Sequence, residues 1–301
     1  MPHLSSSLKE PLLLTIYHKT VYRYSYPSTE SHNEVRLQPV SDNCQVCKRF
    51  TISSAPATRI FSFEELGGTV HYFSLRNAHR SLEIDAKAEV ETLCSNPFED
   101  LNLLVPDFDY YDSDPVKHRY TEFLAASRYV SISGEARELA ESVAMSCHRV
   151  TAQFLLLLNR TLFDRFVYDP DVTHVHSTVD EVFALNAGVC QDFAHVMIAC
   201  CRSIGIPARY VSGYLFCSEG SGIRGSEAMH AWVECPLPDG RWMALDPTNN
   251  LLANEHHIKV HTGRDYADIT PLKGLYMGSG HKDLEVEVRV ERAQTAQQDI
   301  A

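Results

Sequence analysis

The sequence predicts an α+β protein, with a β-rich first part followed by a core in which helices accompany an antiparallel sheet. Three observations carry that expectation. Segments rich in β-branched and aromatic residues crowd the first ninety positions. Apolar residues recur at three- and four-residue spacing after Ser133. Two short strand patterns flank a Pro/Gly loop between His230 and Asp246.

Composition narrows the range of functions. At 301 residues the chain is long enough for two packed units. Hydrophobic residues at 44% and charged residues at 22% suit a buried core and argue against wholesale disorder. A formal charge of −12 argues against nucleic acid or an anionic membrane as the main partner, because both require a basic face. The apolar run Leu12–Leu14 is too short for a signal-peptide core, and nothing later reaches membrane-spanning length, so the expected location is cytoplasmic. Nine cysteines, an odd number, then suggest free thiols rather than a disulfide framework.

In chain order, Leu13–Tyr24, Arg59–Phe63, Val70–Leu75 and Leu82–Glu91 read as strands. Glu64–Gly68 reads as a hairpin loop, because glycine accepts positive φ without steric cost. Tyr17, Tyr22, Tyr24 and Tyr26 fit a sheet face. A Pro- and Asp-rich stretch, Asn96–Pro115, reads as a connector, and Ser133–Arg165 as helical. The expected division is a β-rich domain over 1–105, a catalytic domain over 106–290 and a polar, frayed tail over 291–301.

From Cys190 the apolar positions Phe193, Ala194, Met197, Ile198, Cys201 and Ile204 repeat with helical spacing, until Gly205 and Pro207 stop the helix. A thiol in the first turn of a helix faces unpaired backbone N–H groups and the positive end of the macrodipole. Both favour thiolate, the nucleophilic form. The same N–H groups are suited to hold an oxyanion. Cys200 and Cys201 lie at the far end, where the dipole acts the other way, and read as buried thiols.

His230–Cys235 and Arg241–Asp246 flank the loop Pro236–Gly240. If Cys235 opposes Arg241, His230 directly opposes Asp246 on the same face of the ribbon, with Cβ atoms about 5 Å apart. A carboxylate there accepts the second N–H of the imidazole and stabilises the imidazolium. The candidate site is therefore Cys190 as nucleophile, His230 as base and Asp246 as its orienting partner.

The runs Gly188–Ala199 (GVCQDFAHVMIA), Gly205–Tyr214 (GIPARYVSGY), His230–Glu234 (HAWVE) and Asp246–Asn250 (DPTNN) closely resemble the bacterial transglutaminase-like superfamily, whose members are often named cysteine proteases. The likeness keeps the same order over roughly the last 130 residues. The β-rich first third is similar to the N-terminal domain that accompanies this core, and Gly263–Pro271 (GRDYADITP) to a segment near its end. The resemblance implies a papain-like, transglutaminase-like core, in which a helix bearing the cysteine packs on an antiparallel sheet bearing histidine and aspartate. It also implies a Cys–His–Asp triad working through a thioester on an amide, peptide or protein substrate.

The transglutaminases proper place a tryptophan upstream of the nucleophile to hold the oxyanion. Trp232 and Trp242 both lie downstream, so Gln191 and Tyr168 are the candidates for the second donor. No loop has calcium-ligand spacing, and no cofactor is expected. The lone Cys44–Cys47 pair lacks a second ligand pair for zinc. His174 and His176, like His256 and His257, read as loop or surface residues, and His195 as a locally bonded histidine on another helix face. The favoured reading is a thiol-dependent amide hydrolase. The alternatives are a protein-glutamine acyltransferase with an amine acceptor, a non-catalytic scaffold and, third, a zinc protein.

Overall fold

The computed structural model describes residues 11–93, 97–99, 101–217, 222–225, 228–278 and 281–293. The first part contains strands β1 (Leu12–Ser28), β2 (Glu30–Val35), β3 (Gln45–Ala55), β4 (Phe61–Glu65), β5 (Gly68–Leu75) and β6 (His79–Thr92). Then come helices α1 (Asp109–Asp112), α2 (Asp114–Arg119), α3 (Gly134–Ser146) and α4 (Thr151–Arg165), strand β7 (Val167–Tyr168), helix α5 (Val179–Leu185), strand β8 (Ala187–Gly188) and helix α6 (Cys190–Ser203). Strands β9 (Arg209–Leu215), β10 (His230–Pro236), β11 (Trp242–Asp246), β12 (Leu251–Leu252), β13 (His257–Gly263), β14 (Leu272–Met277) and β15 (Lys282–Arg292) complete the described chain.

Three antiparallel sheets stack into layers, in the orders β15-β1-β6-β3, β14-β2-β5-β4 and β12-β11-β10-β9-β13. Apolar side chains of β6 alternate with exposed ones, as a strand with one covered face requires. Leu82 and Ile84 meet Val35 and Phe73 between the first two sheets, while Leu14, Ile16 and Val90 meet Tyr214, Ile258 and Val260 of the third. The other face of the third sheet packs on the helices. Ala231, Val233, Cys235 and Leu245 join Phe193, Met197 and Cys201 of α6 and Phe154 and Leu158 of α4 in the largest core. Strand β10 is thus buried on both faces, which explains its near-continuous apolar composition.

The hairpin expected at Glu64–Gly68 forms, with Glu65 paired to Gly68. Gly67 takes φ +108° and accepts the Thr262 N–H at 3.2 Å, so the tip of this hairpin docks on β13. A Cβ at Gly67 would sit 2.2 Å from the Thr262 carbonyl oxygen, a spacing that only glycine permits. The helical stretch after Ser133 breaks into two helices at His148 and Arg149, both at positive φ.

Two expectations need correction here. The Asp-rich connector folds in part into α1 and α2, because buried Tyr111 anchors it by donating its hydroxyl to the Pro236 carbonyl at 2.7 Å. The linear division also differs from the strand pairing. β14 pairs with β2, and β15 pairs with β1, so 272–292 complete the sheets of the first part rather than the sheet that carries His230 and Asp246. Residues 294–301 of the expected tail lie outside the described residues.

Candidate active site

Helix α6 is buried all round from Gln191 to Ser203, and its first turn is shaped by one carboxylate. Asp192 Oδ2 accepts the Val189 N–H at 2.8 Å and the Thr173 hydroxyl at 2.7 Å. This is the reciprocal half of a capping box. A Cβ on Gly188 would lie 2.6 Å from that oxygen, so glycine is needed for the carboxylate to reach back. Asp192 has its pKa raised, since burial outweighs the hydrogen bonds it accepts. The helical hydrogen bonds begin at the Val189 carbonyl, which accepts the Asp192 N–H at 2.9 Å and the Phe193 N–H at 3.1 Å. The Cys190 and Gln191 amides precede these donors and belong to the unpaired first turn. Parallel pairing of β7 with β8 sets Tyr168 beside Gly188, two residues before the thiol.

His230 opens β10 and is completely buried. Its Nε2–H donates to Asp246 Oδ2 at 2.8 Å. Its other nitrogen, Nδ1, has no hydrogen-bond partner, and the Cys190 side chain is near enough to raise the histidine pKa. Burial is the largest influence and disfavours the imidazolium. The Asp246 charge and hydrogen bond, followed by Cys190, overcome it and push the pKa up to about 10. Asp246 accepts five hydrogen bonds: at Oδ2 from His230, from Asn249 Nδ2 at 2.8 Å and from His257 Nε2 at 3.3 Å, and at Oδ1 from the Thr248 and Asn249 amides at 3.0 and 3.3 Å. Burial acts to raise its pKa, but the two histidines hold it well below the usual carboxylate range.

The register that brings His230 to Asp246 is not the expected one. Cys235 pairs with Met243 and Pro236 with Trp242, so the loop is Leu237–Arg241. Leu237 N–H closes it on the Arg241 carbonyl at 2.7 Å, and Gly240 takes φ +90°. Extending this ladder sets Asp246 diagonal to His230 rather than opposite it. A slip of two residues preserves the face, because strand side chains alternate with period two.

Around the thiol, Tyr210 and Tyr266 lie close enough for Cys190 to raise their pKa values, although burial is the larger cause in each. Tyr266 belongs to Gly263–Pro271, which therefore reaches the neighbourhood of the thiol. Its N–H donates to His195 Nε2 at 3.2 Å, and His195 stacks on Tyr129. His195 is thus a locally bonded residue, with its pKa pushed down to about 4 by burial. His176 bonds the Tyr129 hydroxyl at 2.9 Å. Of the two oxyanion candidates, Gln191 already donates its side-chain amide to the Val175 carbonyl at 3.2 Å. Cys47, Cys147, Cys190, Cys200, Cys201, Cys217 and Cys235 are free thiols.

The residue that sequence reasoning missed is His257. Read as a surface position, it is buried at the start of β13 and touches Asp246. His230, Asp246 and His257 are the one trio among the described residues whose potential metal-ligand atoms all lie within 4.8 Å. Both imidazole Nε2 atoms are turned onto one carboxylate oxygen, so the trio is already closed by its own hydrogen bonds.

Residues 137–247 match the Transglutaminase-like superfamily and residues 14–91 the Bacterial transglutaminase-like N-terminal region. The protein ML0607 of Mycobacterium leprae is 34% identical over 284 residues, covering 93% of this chain and 98% of its own. The chain belongs to the transglutaminase-like superfamily. A crystal structure named "a Putative Cysteine Protease from Cytophaga hutchinsonii" superposes with a TM-score of 0.72 over 95% of this chain and 92% of that one. At 21% identity this likeness shows the shared transglutaminase-like fold. A protein-glutamine gamma-glutamyltransferase of Pseudomonas aeruginosa is 32% identical over 123 residues, 38% of this chain and 18% of that protein. Among the described residues no helix is long and apolar enough to cross a membrane.

Proposed function

We propose that this protein is a thiol-dependent amide hydrolase in which Cys190, His230 and Asp246 form the catalytic triad. The observation that carries this reading is the His230–Asp246 hydrogen bond of 2.8 Å, with the opposite ring nitrogen left without a partner on the Cys190 side. Asp246 keeps the ring protonated, and the imidazolium with the first turn of α6 favours the Cys190 thiolate. The thiolate attacks the amide carbon, and first-turn N–H groups hold the resulting oxyanion. His230 passes its Nδ1 proton to the leaving nitrogen as the C–N bond breaks, giving a thioester and a free amine. Water then attacks the thioester, returns a proton to Nδ1 and releases the acid, while the Nε2–H stays on Asp246.

A second reading, transfer of the acyl group to an amine, is favoured by the 123-residue likeness to a protein-glutamine gamma-glutamyltransferase. A peptide and amide library, run with wild type and Cys190→Ala and with a labelled primary amine present, tests both. Release of acid that depends on Cys190 supports hydrolysis, and label bound covalently to an acceptor protein supports transfer. Neither product from any library member, together with Cys190 alkylating no faster than Cys217, would leave the scaffold reading standing.

A further inference from the structure

Asp246 is approached by two imidazoles, and the triad uses one of them. The second, His257, donates Nε2–H to the same oxygen that holds His230, while its Nδ1 accepts the Asn254 backbone N–H at 3.3 Å. Nδ1 also lies 3.3 Å from Asn254 Oδ1, but burial lowers the His257 pKa and a carboxylate only accepts, so the neutral ring carries its proton on Nε2 and takes the Asn254 N–H at Nδ1. Asn254 and His257 are tied a second time by the His257 N–H, which donates to the Asn254 carbonyl at 2.9 Å, so the ring stands on a closed turn. Its other side packs edge-on against Trp232, with ring centroids 5.4 Å apart.

We infer that His257 is a positioning residue for the triad, whose neutral imidazole fixes the Asp246 carboxylate so that Oδ2 aims at His230. The inference rests on the hydrolase or transferase reading of the site and adds a fourth member to it. A carboxylate with one of its oxygens loosely held can rotate about its Cβ–Cγ bond. The amides of Thr248 and Asn249 hold Oδ1, and Asn249 Nδ2 and His257 Nε2 hold Oδ2 on either side of the His230 bond. His257 touches no reacting atom, so it acts through Asp246. The alternative role is a packing spacer beside Trp232, and the two roles demand different replacements. A spacer needs a ring, whereas a positioning residue needs an N–H at the Nε2 position.

The test uses the full chain and the rate of Cys190 alkylation by iodoacetamide at pH 7, read by mass spectrometry of the Cys190 peptide beside Cys217. His257→Phe keeps the ring and removes the donor, and His257→Gln keeps a donor near Nε2 and removes the ring. Alkylation of Cys190 is expected to slow about tenfold in His257→Phe, the lower range for loss of a partner that orients a functional ligand, and to stay within about threefold of wild type in His257→Gln. Phe behaving as wild type, or Gln as slow as Phe, overturns the inference. If wild-type Cys190 reacts no faster than Cys217, the triad reading itself fails and takes the inference with it. Should His257→Phe not fold, nitrogen-15 spectra of wild type decide. Nε2-protonated neutral His257 at pH 7.5 supports the role, and an Nδ1-protonated or doubly protonated ring overturns it.

Discussion

Asp246→Asn removes the charge that holds His230 as an imidazolium, and the structure sets the scale of the loss. His230 rises from its ordinary 6.5 to about 10 despite complete burial. At about 1.4 kcal/mol per tenfold change in proton affinity, that rise is worth roughly 5 kcal/mol. That figure is net of burial, the largest single influence and one that lowers the pKa, so Asp246, first among the influences that raise it, and Cys190 together exceed it. A share of about 3 kcal/mol for the carboxylate, taken as a minimum, predicts a fall of at least roughly two orders of magnitude in Cys190 thiolate reactivity at pH 7. The assay is alkylation of Cys190 by iodoacetamide across pH 5–10, with Cys217 as internal reference and thermal unfolding as a check on the fold. In wild type the imidazolium persists until the pH approaches 10, and in the variant burial is no longer opposed by the carboxylate, so it is lost at lower pH. An Asp246→Asn protein that is folded and alkylates within threefold of wild type at pH 7 would refute the electrostatic account of the site.

Three further outcomes are expected. Gly188→Ala forces Asp192 off the Val189 amide, where the added methyl would lie 2.6 Å from Oδ2, so Cys190 alkylation should slow about tenfold with loss of the cap, and an unchanged rate would show that the first turn adapts. Glu234→Ala leaves Arg209 without its carboxylate and Lys259 with Asp42 alone, where both had approached Glu234 to 2.6 Å; urea unfolding should report a loss of about 3 kcal/mol, the lower end for breaking a buried pair, because both cations keep some solvent and Lys259 keeps one partner. Acid should destabilise the fold early. His18 and His195 are both lowered to about 4 by burial, so the unfolded chain takes up their protons first, and the stability each contributes is full above pH 6.5 and fades as pH falls toward 4. Between pH 7 and 5 the pair should cost about 2 kcal/mol each, and His18→Gln should flatten that slope in urea melts.

The site was legible where local pattern and chemistry coincide. The i, i+3, i+4 spacing after Cys190 matches the helix that forms, and the Pro/Gly loop before Trp242 matches a real hairpin. The face shared by His230 and Asp246 survived a register error because Pro236 joins the strand instead of the loop, displacing the ladder by an even number. His257 was invisible for a different reason. His256 and His257 look alike in sequence, and only pairing of β13 with β9 turns His257 toward Asp246. Strand β2 escaped notice because its covered positions include Ser31 and Asn33, polar residues bonded to each other instead of an apolar stripe. The return of β14 and β15 to the first sheets depends on pairing across some 250 positions, which no local spacing reports.

Because β15 lies antiparallel to β1, Leu14 and Arg292 are neighbours at one end of the ladder. Any polypeptide joined ahead of Leu12 and any joined after Arg292 must leave from the same edge, side by side. Pulling on the two together peels the pairs apart one at a time from that edge, a low-force geometry compared with shearing a whole strand. A pull applied through both ends therefore loads this ladder pair by pair instead of along its whole length.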